Sequence, residues 1–182
     1  MEEFKKYSHL MIDLETLGKT CDSVILSIGA VCFSMDGTVG DELELFPNVD
    51  DQIKIRKIEW SSIQWWFKQE ADARLAIADA VRVSDLKNCL QTLDIFCEEH
   101  LTENFKVWGN GFDIPLLNHA YAQFSLNTPW SYKNILDCRT MTWLSKISTR
   151  NYSDNNDIKH SAISDAKFQI RFIVDAYKVI KL

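Results

Sequence analysis

Asp13 and Glu15 stand two residues apart at the end of the apolar stretch Leu10-Met11-Ile12-Asp13-Leu14-Glu15-Thr16. In a β-strand alternate side chains share a face, so both carboxylates point the same way as His9 and Met11. Leu10, Ile12 and Leu14 face the opposite side. Two acids so placed repel each other unless a cation lies between them; alternatively, they solvate an exposed strand end. Three more residues bear on that choice: Asp113 in Gly-Asn-Gly-Phe-Asp, Asp165 in His-Ser-Ala-Ile-Ser-Asp, and His160 five positions before it. If the four acids converge, their repulsion raises their pKa values and destabilises the fold unless it is compensated. Hard oxygen ligands suit Mg²⁺ or Mn²⁺. Two such ions about 4 Å apart clamp the attacking and leaving oxygens of a phosphodiester and activate water. The chemistry implied is metal-assisted phosphodiester hydrolysis.

Convergence depends on the elements that carry these residues. Residues 8–15 read as a first strand, 18–22 as a polar turn and 23–34 as a second strand. Met35-Asp36-Gly37-Thr38 reads as a hairpin turn into a third strand near 42–47. Helices are predicted over 61–68 and 71–80. Ser84 is the expected N-cap of a helix running to about residue 101, with Leu86, Leu90, Leu93 and Cys97 at helical spacing. A strand over 105–108 precedes a helix over 112–124, with Pro115 in its first turn. A fifth strand is expected at 134–137, helix at 138–147, a polar loop at 148–159 and a final helix at 161–181. A meander followed by alternating helices and strands indicates an α/β fold: one mixed five-stranded sheet flanked by helices, of the ribonuclease-H-like kind. The first strand is then central. Asp113 opens the helix after its neighbour, and Asp165 lies one turn into the last helix.

With those motifs in place, the sequence resembles the DEDDh branch of the DnaQ-like 3′–5′ exonucleases. Asp13-Leu14-Glu15-Thr16, Phe112-Asp113 and His160 through Asp165 match its three motifs. The resemblance is strongest to the phage exodeoxyribonuclease A group and the mycobacterial-type exoribonucleases, extending to Ile63-Gln64-Trp65-Trp66 and Trp108-Gly109-Asn110-Gly111. One departure is that Gly111 runs directly into Phe112-Asp113, where many relatives carry extra residues. The resemblance implies that Asp13 bridges two divalent cations, Mg²⁺ or Mn²⁺, with Glu15 and Asp165 completing one site and Asp113 supporting the other. His160 would take the proton from the attacking water, a role suited to a group titrating near neutrality. Without the other motifs it reads as a surface loop histidine. Thr16, Leu17 and Phe112 would hold the terminal nucleotide of a single-stranded DNA or RNA 3′ end. Arg150 and Lys159, from the polar loop before His160, would help to grip the phosphate. Asp137-Cys138-Arg139-Thr140 is expected to be mostly structural, and a homodimer is possible. The rival readings are a ribonuclease-H-like endonuclease and a non-catalytic nucleic-acid-binding module.

Among the tryptophans, Trp60, Ile63, Trp66 and Phe67 fall within about 120° of a helical wheel and are expected to pack into the core. Trp65 points away from them, free to stack on a base, line a dimer interface or cover a neighbouring loop.

Composition limits the alternatives. The chain has 182 residues, 46% of them hydrophobic, which suits one domain over 1–182 with a sizeable core. The longest apolar run is too short to span a bilayer, and Met-Glu-Glu-Phe-Lys-Lys lacks the charge pattern of a secretory signal. Five cysteines without metal-type spacing read as reduced thiols, so the expected location is cytoplasmic. The net charge of −6 argues against coating nucleic acid by charge alone. Residues 131–182 nonetheless carry nine Lys/Arg against five Asp/Glu, which suits either phosphate binding or an ordinary solvated helix.

Overall fold

The computed structural model describes residues 6–82, 84–152 and 160–181. Five strands form one mixed sheet in the order β3-β2-β1-β4-β5. They are β1 (Tyr7–Thr16), β2 (Ile25–Phe33), β3 (Val39–Leu45), β4 (Leu101–Gly109) and β5 (Ile135–Asp137). The β1–β2 and β2–β3 pairs are antiparallel; β1–β4 and β4–β5 are parallel. The helices are α1 (Val49–Gln52), α2 (Trp60–Trp66), α3 (Ala71–Ala78), α4 (Leu86–His100), α5 (Asp113–Gln123), α6 (Cys138–Ser145) and α7 (Ala162–Lys181). This is the ribonuclease-H-like arrangement expected from the sequence.

The central strand β1 divides the core. Its Leu10, Ile12 and Leu14 pack with Ile28 and Ala30 of β2 beneath Leu90 and Leu93 of α4 and Leu117 of α5. On the other side Met11, Val31 and Phe33 meet Ala166, Ile170 and Ile173 of α7 and Cys138 of α6. Each large apolar side chain buried this way contributes about 1.5–3 kcal/mol, enough in sum to offset buried charge at the strand's end. Both faces of β2 are covered, and its sequence is apolar throughout rather than alternating.

One contact sets the height of α7 above the sheet. Gly29 pairs with Asp13, and a Cβ at Gly29 would lie 2.4 Å from the backbone carbon of Ala162. Only glycine lets the start of α7 rest directly on β2.

Several boundaries differ from the sequence reading. Helix α4 is capped by Asp85, whose carboxylate accepts from the Asn88 N–H at 2.8 Å, not by Ser84. Strand β3 begins at Val39, and β4 begins at Leu101. The start of β4 is disguised by Thr102-Glu103-Asn104, where Asn104 adopts a left-handed φ of 62°. The polar segment 50–59 hides buried residues. Gln52 exchanges hydrogen bonds with both backbone groups of Ile25, at 2.9 and 2.8 Å. Arg56 donates to the carbonyls of Ser23 and Cys21. These side chains stand in for missing backbone partners, which composition cannot reveal.

Helix α2 overturns the expected apolar face. Trp60 is 64% and Phe67 66% exposed, whereas Ser62 and Trp66 are buried. The helix is seated at the end of β1 by a polar contact, the Trp66 indole donating to the Thr16 carbonyl at 3.0 Å. Of the expected apolar face only Trp66 is buried against the sheet, while Trp60 and Phe67 stay outside. Trp108 of β4 is buried in the core. Among the described residues all five cysteines are free thiols, and no helix is long and apolar enough to cross a membrane.

Candidate active site

The end of β1 brings the acids together. Asp13 and Glu15 lie on the α7 side of the sheet, next to the seam where the first turn of α7 lands on Gly29. Asp165, in that first turn, comes within reach of both. Asp113 opens α5 immediately after β4, the parallel neighbour of β1, and accepts from the Asn110 N–H at 2.8 Å. Asp13, Glu15 and Asp113 are buried, and Asp165 and His160 half-buried. One ligand atom from each of Glu15, His160 and Asp165 lies within 4.8 Å of the others.

The electrostatics follow from that crowding. Burial, reinforced by Asp165 and Asp113, pushes the Glu15 carboxyl up to about 8. Burial lifts Asp113 to about 7 even though backbone donors, chiefly Asn110, oppose it. Asp13 is held well above the ordinary carboxylate range by burial and by Asp113, Glu15 and Asp165 in turn. Gln169, one turn beyond Asp165 on α7, donates to Asp13 Oδ1 at 2.6 Å and partly relieves it. On the same face, opposite Glu15, the Ser27 hydroxyl is buried without a hydrogen-bond partner among the described residues. Hard oxygen donors that resist losing their protons without a counter-charge fit Mg²⁺ or Mn²⁺.

Trp65 packs on His160. Its ring meets His160 edge-on, with centroids 4.7 Å apart and planes at 79°, and packs against Trp66 at 5.2 Å. His160 has a left-handed φ of 65°, a strained state for a non-glycine residue that its surroundings must hold.

Two cavities flank the acids. One, of about 470 Å³, is lined by Thr16, Gly18, Ser62, Trp65 and Phe112 beside Glu15. The other, of about 420 Å³, lies between α6 and α7 and is lined by Asn110, Thr142, Thr149 and Phe168 beside Asp13 and Asp165. Leu17 is half-buried and lines neither. Arg150 is exposed on the short turn Thr149–Tyr152, which the Tyr152 hydroxyl ties to Asp175 of α7 at 3.0 Å. Lys159 and most of the predicted polar loop lie outside the described residues. The sequence reading missed Gln169, and it took Arg139 as part of the mostly structural segment Asp137-Cys138-Arg139-Thr140. The first was detectable as a polar residue four positions after Asp165 on an otherwise apolar face. For Arg139, which borders both cavities, no sequence signal marked its position.

The raised carboxylates carry a prediction for the metal-free protein. Unfolded, Glu15 and Asp113 lose their protons near 4.5 and 3.8; folded, they keep them to about 8 and 7. Within that window the native state binds more protons, so rising pH favours unfolding. His9, held to about 4 by burial and by Lys106, opposes the trend only below its ordinary value of 6.5. From about pH 6.5 to 8, stability in chelator should therefore fall, by roughly 2 kcal/mol at 1.36 kcal/mol per unit. Added Mn²⁺ should restore more at the upper end than at the lower. Denaturant melts across that range give the answer, and a flat profile would contradict the buried cluster.

Comparison with solved structures recovers the same fold. The E. coli exonuclease I–single-stranded DNA complex in its zinc-bound form aligns with a TM-score of 0.60 at 15% identity, over 97% of this chain and 41% of that one. Exonuclease I from Methylocaldum szegediense gives 0.60 at 12%, over 96% and 40%. S. pombe Pop2p in its Mg²⁺- and Mn²⁺-bound form gives 0.57 at 14%, over 93% and 82%. The chain thus spans less than half the length of the exonuclease I structures. A search of the curated proteins finds no match. The model of the 3′–5′ exoribonuclease Rv2179c-like domain matches residues 8–176, and with nearly the whole chain inside that match, this protein belongs to the Rv2179c-like family of 3′–5′ exonucleases.

Proposed function

We propose that the protein shortens single-stranded nucleic acid from its 3′ end, releasing 5′-mononucleotides. The observation that supports this most is the meeting of Glu15, Asp165 and His160 within 4.8 Å beside the buried Asp13 and Asp113. Asp13, Glu15, Asp113 and Asp165 would hold two divalent cations, Mg²⁺ or Mn²⁺, which when bound polarise the phosphodiester and acidify a water. His160 takes the proton from that water as it attacks phosphorus. Glu15 and Asp165, each with an oxygen within 4.8 Å of an imidazole nitrogen, would keep the water on the histidine's side of the phosphate. Gln169 fixes the rotamer of Asp13 through its hydrogen bond. The cavity walled by Thr16, Trp65 and Phe112 takes the terminal nucleotide, with the two aromatic rings available to its base. Phe112 and Thr16 belong to elements tied to the acids, so base and phosphate are placed by one framework.

Oligomers labelled at the 5′ end should yield a ladder that shortens with time, and 3′-labelled ones should release labelled mononucleotide at once. Chelator should stop both, and Mg²⁺ or Mn²⁺ should restore them. Matched DNA and RNA strands report the sugar preference, which is set by what meets the 2′-hydroxyl. Cutting of a circular single strand would identify an endonuclease instead, and binding without shortening a non-catalytic module.

A further inference from the structure

Arg139 stands in the first turn of α6, and among the described residues it is the one cation that borders both cavities. Its guanidinium makes no ion pair or side-chain hydrogen bond with any described residue, although Asp13 and Asp165 line one of its cavities and Glu15 the other. Its backbone is firmly placed. Asp137 caps α6 through the Thr140 N–H at 2.7 Å and the Thr140 hydroxyl at 2.8 Å. The second oxygen of the same carboxylate accepts from the Gly111 N–H at 2.7 Å, two residues before Asp113. One side chain thus locks the start of α6 to the loop that delivers an acid of the site. The positive charge of Arg139 is felt at Asp113 and at Asp137.

A structural arginine in such surroundings would close onto a carboxylate. This one is anchored at its base and open at its tip, on the ridge between the two cavities. A strand whose last nucleotide lies in the Thr16–Phe112 cavity must cross that ridge to reach the other. The group that crosses is the phosphate joining the last two nucleotides. The planar fork of a guanidinium matches two oxygens of a phosphate. We infer that Arg139 is a substrate-binding residue that grips the scissile phosphate, which becomes the 5′-phosphate of the released mononucleotide. The acids repel that phosphate, and a fixed cation opposite them holds it in register.

The inference rests on the exonuclease reading, and equilibrium binding separates the two. Calorimetry with Mn²⁺ present compares a nucleoside 5′-monophosphate with the matching nucleoside, for wild-type protein, Arg139→Gln and Arg139→Lys. The wild-type protein should prefer the monophosphate. Arg139→Gln should shrink that preference by about tenfold, the loss expected for one charge-assisted contact at an exposed site, and Arg139→Lys should keep part of it. The Mn²⁺ isotherm without nucleotide should not weaken, because the substitution removes a positive charge beside Asp113. An unchanged preference in Arg139→Gln overturns the inference and leaves the exonuclease reading standing. A loss that tracks a weakened Mn²⁺ isotherm also overturns it, because the arginine would then act on the metal site. No preference in the wild-type protein overturns the inference and the exonuclease reading together.

Discussion

Asp13→Asn is expected to abolish hydrolysis while making the metal-free protein more stable above neutral pH. Asp13 is buried, and three other acids raise the cost of its charge. The amide removes that charge yet keeps an oxygen for the Gln169 Nε2 donor, now 2.6 Å from Asp13 Oδ1. Asp13→Ala should be equally inactive but should gain less. It strands the Gln169 amide, and an unsatisfied buried donor costs about 1–3 kcal/mol. The comparison isolates charge from hydrogen bonding at one position. Rate measurements with Mg²⁺ or Mn²⁺ and denaturant melts in chelator read the two effects. An asparagine variant that degrades substrate at a substantial rate would remove Asp13 from the site. A variant less stable than wild type in chelator near pH 8 would show that the acids do not repel one another.

His160→Ala should slow turnover by roughly 10²–10⁴-fold, the range for a positioned general base. Substrate affinity should change little, since the imidazole acts on water. Lost turnover with an unchanged KM is the signature of a group used only in the transition state. The ring meets the edge of Trp65 and has Glu15 and Asp165 within 4.8 Å of a ring nitrogen, while its own backbone is left-handed. Alanine there also carries a strained φ, so His160→Gly, which relaxes the backbone without restoring the imidazole, is the control. If the glycine variant recovers wild-type rate, the histidine is a hinge and not a base. A kcat that is unchanged in both variants would leave the water without an assigned base.

The parts of this fold that were legible in advance are those where one physical rule acts alone. In strand β1 Leu10, Ile12 and Leu14 share one face and Asp13 and Glu15 the other, because period-2 geometry sorts them to opposite sides of the sheet. Helix α4 repeats Leu86, Leu90, Leu93 and Cys97 because a single face meets the sheet. The motif order Asp-x-Glu, Asp, His-x₄-Asp indicated the exonuclease family that the comparisons support. Elsewhere tertiary contacts overrode local pattern. Helix α2 shows a convincing apolar stripe but is held by an indole–carbonyl hydrogen bond, leaving Trp60 and Phe67 outside. Gln52 and Arg56 are polar yet buried, because irregular backbone at the end of β2 needs donors and acceptors that no strand supplies. Arg139 is brought beside the acids by contacts distant in sequence, among them the bond by which Asp137 ties α6 to Gly111, 26 positions away. No local window contains that information.

The bare backbone contact at Gly29 bears on how finely the site can be set. Side chains yield by changing rotamer, so distances built on them have slack. Two peptide planes in direct contact have almost none. Asp165 and His160 are referred to the sheet through such a contact, close to where Asp13 and Glu15 leave it. The sheet thereby serves as a hard stop, and the spacing between the two halves of the site is gauged against it. A methyl group at position 29 would work as a shim: it would lift α7 by a fraction of its own size and part the acids without touching any of them. Misplacements near 1 Å can cost 10²-fold in rate. A single glycine of β2 is thus where the tolerance of the site is kept.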